Sequence, residues 1–168
     1  MYALEKATLA DAEICFEILD FGRSFQREQG FVQWSDDFPS LDTVKDDILN
    51  QNGYKLLYND EIIGYMYIAF DGEKAYDNID GKWILEGAYA TVHRVAFKPE
   101  FRGKGLSKIT FDLIIKLCKS KNFKSIRMDT DEKNLRMQHV LEKNGFKRCG
   151  KITYNEGVLY VYENVLEP

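Results

Sequence analysis

A mixed α/β chain, more fully α+β, is predicted by three observations on these 168 residues. Apolar residues recur at helical spacing in four segments, shorter runs rich in β-branched and aromatic residues read as strands, and glycine or Asn-Asp pairs punctuate them. Composition agrees, since 45% apolar and 30% charged content is that of an ordinary globular domain. A chain of this size buries about 68–70% of the surface its unfolded form exposes, so it needs neither metal nor disulfide to hold a core. One domain spanning residues 1–168 is expected.

In chain order, YALEKAT is a short strand, and LADAEICFEILDFGRSFQREQG carries Ile14, Ile18, Phe21 and Phe25 at helical spacing up to a stop near Gly30. SLDTVKDDILNQNG is a second helix, with Ser40 or Asp42 as its cap and Gly53 as its stop. YKLLYNDEIIGYMYIAF reads as two strands joined at Asn59-Asp60, a hairpin pair. The loop DGEKAYDNIDGK leads to WILEGAYATVHRVAF, a long strand by its aromatic and β-branched content. Leu106, Ile109, Leu113, Ile114, Leu117 and Cys118 then form a wide helical stripe. SIRMDT is a strand, NLRMQHVLEKNGF a helix stopped by Gly145, and FKRCGKITY and VLYVYENVL two closing strands. Six to seven strands and about four helices result.

A net charge of −4 gives no basic excess for a nucleic acid or a membrane surface. Cys15, Cys118 and Cys149 form no CxxC pair and no metal-ligand spacing with His93 or His139, so they read as buried, reduced thiols and no metal is expected. The N-terminus MYALEKATLADAE has acids where a signal peptide needs an apolar run, which points to the cytoplasm.

The informative segment is KPEFRGKGLSK, residues 98–108, between the strand-like HRVAF and the apolar-periodic helix. Gly103 and Gly105 either let a strand reverse into a helix or admit an anion to the unpaired N–H groups at the helix N-terminus. Arg102, Lys104 and Lys108 add positive charge to the second reading. The spacing is neither that of a P-loop nor that of a dinucleotide fingerprint, which needs a third glycine where Lys108 stands.

VHRVAFKPEFRGKGLSK followed by SIRMDTDEKNLRMQHVLEKNGF resembles the coenzyme A core of the GNAT N-acetyltransferase superfamily. Gly103 and Gly105 match that family's glycine-rich pyrophosphate signature, whereas Glu100 departs from its usual Gln or Arg, and Ser107 stands where a small residue is common. The resemblance implies a mostly antiparallel twisted sheet whose splayed central strand pair holds acetyl-CoA. It places the backbone of Val95, Ala96 and Phe97 on the pantetheine arm, and Arg102, Gly103, Lys104, Gly105, Leu106, Ser107 and Lys108 on the phosphates. Asn134 matches an asparagine that either contacts the coenzyme or caps its helix, and the position of a frequent tyrosine acid is Leu141.

The implied reaction acetylates a primary amine of a small molecule or peptide by direct attack in a ternary complex. A non-catalytic acetyl-CoA sensor is the alternative. Strand alternation puts Thr91, His93, Val95 and Phe97 on one face if no bulge intervenes. His93 is then either the base or a packed strand residue, and Glu86, earlier on the same run, is the second candidate base. Trp34, in QREQGFVQWSDDFPS, and Tyr89 are candidate acceptor-site residues, and Trp34 is equally readable as core packing. The expected partners are an amine substrate and at most a second copy of the chain, with neither nucleic acid nor membrane.

Overall fold

The computed structural model describes residues 1–168. Its strands are β1 (Tyr2–Lys6), β2 (Gly53–Tyr58), β3 (Glu61–Ala69), β4 (Asp80–Gly81), β5 (Ala90–Phe97), β6 (Ser125–Asp131), β7 (Lys147–Tyr154) and β8 (Gly157–Val165). Its helices are α1 (Ala12–Glu28), α2 (Leu41–Leu49), α3 (Leu106–Ser120) and α4 (Leu135–Lys143). The sheet order is β1-β2-β3-β5-β6-β8-β7-β4. The β5–β6 ladder is parallel, and the β1–β2, β2–β3, β6–β8, β7–β8 and β4–β7 ladders are antiparallel. The expected count falls one short because β4 has two residues inside an apparent loop. Gly81 and Gly150 make that rung: a Cβ on Gly81 would lie 2.2 Å from the Cys149 carbonyl oxygen. No helix is long and apolar enough to cross a membrane.

The chain forms two compact units, Met1–Ile68 with His93–Leu113, and Ala69–Val92 with Ile114–Pro168. In the first unit α1 and α2 pack on β3 and β5. Ala12, Cys15, Ile18 and Leu19 of α1 join Val44, Ile48, Tyr65 and Ala96 in one core cluster. The α1 stripe is therefore offset from the expected one, and Ile14 and Phe21 are 44% and 36% exposed. Close approach at the small residues sets the facing side: a Cβ on Gly22 would stand 3.0 Å from both Ala96 Cβ and the Trp34 ring. Ser40 caps α2 by accepting from the Thr43 N–H at 3.1 Å. The helix ends at Asn50, with Gln51 left-handed at φ +62°, so Gly53 is not its stop. Gly53 opens β2 instead, where a Cβ would meet Ile48 Cγ1 at 2.9 Å. Asn59 and Asp60 both take positive φ, as a type I′ hairpin turn requires.

In the second unit the segment read as a long strand is a strand only from Ala90, and residues 82–89 form a loop pinned by side chains. Glu163, 1% exposed, accepts from the Ile84 and Leu85 N–H groups, from Ser125 Oγ and from Arg127 Nε. The Arg127 guanidinium lies 4.2 Å from the Trp83 ring and 4.0 Å from the Tyr89 ring. The aromatics that suggested a strand thus stack on a cation. Tyr76 donates to Asp129 at 2.6 Å, and burial, then the Asp129 charge, pushes its phenol well above the ordinary range.

Cys15 and Cys118 are fully buried, while Cys149 is only half-buried. Burial pushes the Cys15 and Cys118 thiols up from 9.0 to about 12, aided at Cys15 by the Asp11 charge and opposed at Cys118 by Lys121. The fold favours the protonated thiols, so their contribution to stability is full below the unfolded value of about 9 and is lost as pH rises towards 12. Two results are expected. Burial, then the Glu163 charge, also pushes the half-buried Cys149 thiol up, so a disulfide reagent at pH about 8 labels one thiol per folded chain, more slowly than a free thiol, and the other two only on unfolding. The denaturation midpoint falls progressively above pH about 9.

Candidate active site

β5 carries the central feature, at Arg94. Its φ is +55°, and of the five non-glycine residues with positive φ it is the one inside a strand. A left-handed non-glycine residue costs about 1–3 kcal/mol and persists where its surroundings over-determine it. Here they do. Arg94 Nε and Nη2 donate to Asp47 Oδ2 and Oδ1 at 3.1 and 2.6 Å, and Tyr65 Oη donates to Asp47 Oδ2 at 2.8 Å. The guanidinium also lies 4.6 Å from the Tyr67 ring and 5.7 Å from the Phe38 ring. Burial, then the Asp47 charge, raises the Tyr65 phenol, which stays a donor.

This step in the backbone interrupts the alternation expected along β5. His93 stacks on Tyr67 at 5.6 Å between centroids, Arg94 lies over the same ring, and Ala96 enters the core cluster with Tyr65. Consecutive residues 93 and 94 therefore share the face of α1 and α2. Phe97 falls on the other face, where its ring would be 2.9 Å from a Cβ at Gly64. The expectation that Thr91, His93, Val95 and Phe97 share one face held only without a bulge, and the left-handed Arg94 puts His93 and Phe97 on opposite faces. The ladder to β6 covers Ala90 and Thr91, and β5 runs on to Phe97.

The turn before α3 has the shape an anion needs. Gly103 and Gly105 take φ +75° and +73°, both are exposed, and no atom lies within 4 Å of where a Cβ would stand on either. The first helical hydrogen bond is Ile109 N–H to the Gly105 carbonyl at 3.4 Å, so the N–H groups ahead of it lie at the positive end of α3. The three cations are not equivalent. Arg102 donates from Nη2 to the Phe21 carbonyl at 3.1 Å and lies 4.1 Å over the Phe25 ring, fastening the turn to α1. Lys104 is exposed, 5.9 Å from the Phe101 ring, and Lys108 pairs with Asp112 at 3.0 Å. Leu106 is buried, Ser107 half-buried and Glu100 exposed.

Residues 29–40 are strapped onto α1 through their main chain. Arg23 donates to the Pro39 carbonyl, Arg27 to the Trp34 carbonyl at 3.3 Å, and the Trp34 N–H donates to Gln26 at 3.2 Å. The Trp34 ring packs against Gly22 and the core cluster, which fits the packing reading of that residue.

Glu86, Tyr89, Asn134 and Leu141 belong to the second unit. Glu86 is exposed in the 82–89 loop rather than on β5. The Tyr89 hydroxyl accepts from the Glu73 N–H at 3.0 Å, which makes it part of the loop anchor. Asn134 caps α4, accepting from the Met137 N–H at 3.0 Å, and Leu141 is fully buried.

A family model described as the acetyltransferase (GNAT) family matches residues 19–146. The chain belongs to that family. A GNAT acetyltransferase from Streptococcus agalactiae 2603 superposes with a TM-score of 0.89 at 29% identity, covering 99% of this chain and 96% of that one. Aminoglycoside acetyltransferase AAC(6')-Ib, solved with parmomycin and acetyl-CoA, superposes with a TM-score of 0.71 at 25% identity over 98% and 93%. A Bacillus subtilis (strain 168) protein named for N-acetylating the alanine of ribosomal protein bS18 is 29% identical over 97 residues. That match spans 58% of this chain and 62% of the relative's length.

Against this GNAT frame, the residues missing from the sequence reading are Asp47, Arg94 and Tyr67. Asp47 was findable: it follows Val44 by three residues and precedes Ile48, so an acid occupies the buried stripe of α2 and must have a partner. Nothing in the pattern announces the left-handed Arg94. Removing one member of a buried pair strands the other, so Asp47→Ala should lower unfolding free energy by about 3 kcal/mol in urea denaturation. Tyr65→Phe, which removes one hydrogen bond, should cost about 1 kcal/mol.

Proposed function

We propose that this chain, as a single acetyltransferase domain, moves the acetyl group of acetyl-CoA to a primary amine of a small molecule or peptide by direct attack in a ternary complex. One observation carries this reading: the open, left-handed Gly103 and Gly105 ahead of the α3 N-terminus. A side chain at either position would fill the space a pyrophosphate needs. The N–H groups of Gly103 to Lys108 would hold the phosphates, with Lys104 and Lys108 near them, and the backbone of Val95, Ala96 and Phe97 would pair with the pantetheine arm. Arg102 supports the turn through α1. Bound there, acetyl-CoA supplies a thioester carbonyl, to which the acceptor nitrogen bonds as the carbon–sulfur bond breaks.

The acceptor must arrive with a lone pair. An alkylamine with a pKa near 10.4 is charged at pH 7, and its deprotonation costs about 4 kcal/mol there. His93, half-buried on β5 with its ring against Tyr67, is the residue we assign as base, directly or through water. Glu86 stays the second candidate. A relative named as an aminoglycoside acetyltransferase and one named for N-acetylating a protein alanine fit the proposed amine class. Leu141, fully buried where many relatives place a tyrosine acid, supplies no proton. That observation favours, as second reading, a domain that binds acetyl-CoA without turnover.

Thermal melting tests binding first. At a hundredfold excess over its dissociation constant, acetyl-CoA contributes about 2.7 kcal/mol, a rise in Tm of roughly 5–10 °C for a domain of this size. No shift at millimolar concentration would remove the functional reading. Gly105→Val should raise the dissociation constant about tenfold or more without unfolding the chain. Thiol release across a panel of amines separates enzyme from sensor. With an accepted amine, His93→Ala should lower kcat about 10²–10⁴-fold near pH 7 while acetyl-CoA binding holds. The deficit should shrink as pH approaches the amine's pKa, and a deficit constant across pH would pass the role to Glu86 or water.

A further inference from the structure

Arg94 stands out because its backbone and side chain ask for different explanations. The other non-glycine residues with positive φ, Gln51, Asn59, Asp60 and Asn122, sit in turns, and three of the four are Asn or Asp, which meet that conformation often. Arg94 is a long cation in mid-strand. Two of its three guanidinium nitrogens are engaged by Asp47, and its flat face lies over Tyr67. Asp47 in turn is fixed by α2 and by the Tyr65 hydroxyl. Such a side chain is committed to its own fold and is poorly placed to grip a ligand. Immediately after it come Val95, Ala96 and Phe97, and Ala96 seats its side chain against Gly22 of α1.

We infer that the Arg94–Asp47 pair clamps β5 in its left-handed step, which makes Arg94 a positioning residue for the coenzyme-facing backbone of Val95–Phe97. The inference rests on the proposed role of that backbone. Released from the clamp, residue 94 relaxes to an extended φ, and a one-residue change of phase exchanges the faces of everything after it. Ala96 then leaves its seat, and the N–H and C=O groups of Val95–Phe97 turn away from the directions they now hold.

Two double variants separate backbone control from side-chain contact. Asp47→Asn/Arg94→Gly and Asp47→Asn/Arg94→Ala both remove the ion pair without stranding a charge. They differ only in that glycine adopts φ +55° without strain and alanine does not. Calorimetric titration with acetyl-CoA should give the glycine variant an affinity near that of the unaltered chain and the alanine variant one about fivefold weaker or worse. Equal affinities for the pair, with the unaltered chain binding normally, overturn the inference alone. An unaltered chain that does not bind acetyl-CoA overturns the functional reading and the inference with it. Should either double variant fail to fold, Asp47→Asn/Arg94→Asn and Asp47→Asn/Arg94→Val replace them, because asparagine tolerates the left-handed region and a β-branched residue does not. Asparagine must then bind at least about threefold more tightly than valine, and equal binding overturns the clamp.

Discussion

Asp47 is a carboxylate on a nine-residue helix with its side chain 7% exposed, and such a charge survives in a protein interior only with its partners in place. The partners come from two strands: Tyr65 from β3 and Arg94 from β5. One acid therefore fixes where α2 lies on β3 and β5, and the left-handed step at Arg94 follows from the same bonds. The face carried by His93 and the opposite face carried by Phe97 are both consequences of that step. Burial of the pair adds little net stability by itself, but it removes the alternatives.

The second unit also uses a buried ion pair, here with both members on strands. Glu163 sits on a strand and Arg127 on its neighbour, and together they bind main-chain atoms of the 82–89 loop. A loop so anchored needs no ladder of its own. Both units thus spend a buried ion pair on irregular backbone, a strand step in one and a loop in the other.

How legible this was in the sequence depended on whether local chemistry or a distant partner decided the outcome. The Asn59-Asp60 hairpin, the Ser40 cap, the Gly145 stop and the α3 stripe are local, and they stand where their residues put them. The glycine turn before α3 was equally readable in its backbone, since its two glycines act through their own φ. Trp83 and Tyr89 read as strand because aromatic content is a poor guide when the rings stack on a cation far along the chain, at Arg127. The missed two-residue β4 depends on glycine meeting glycine across chains of sequence that carry no mutual signal. The alternation along β5 failed for the same reason: the residue that breaks it is set by an acid 47 positions earlier.

The straps on residues 29–40 have a consequence for how this surface can change over generations. Arg23, Gln26 and Arg27 grip two carbonyls and one N–H of that segment, atoms that nearly every residue type supplies, and Arg27 also pairs with the Asp36 side chain. Exposed positions such as Val32 and Asp37 take no part in the grip. Their side chains are a replaceable facing on a fixed frame, so mutation can redraw the outward surface of the segment while the frame keeps its shape. Arg102 holds α1 from its other attachment, in the same indifferent way at the Phe21 carbonyl and through a specific side chain only at the Phe25 ring. A lineage can therefore vary the facing and the glycine turn independently, with α1 as the common beam to which each is bolted.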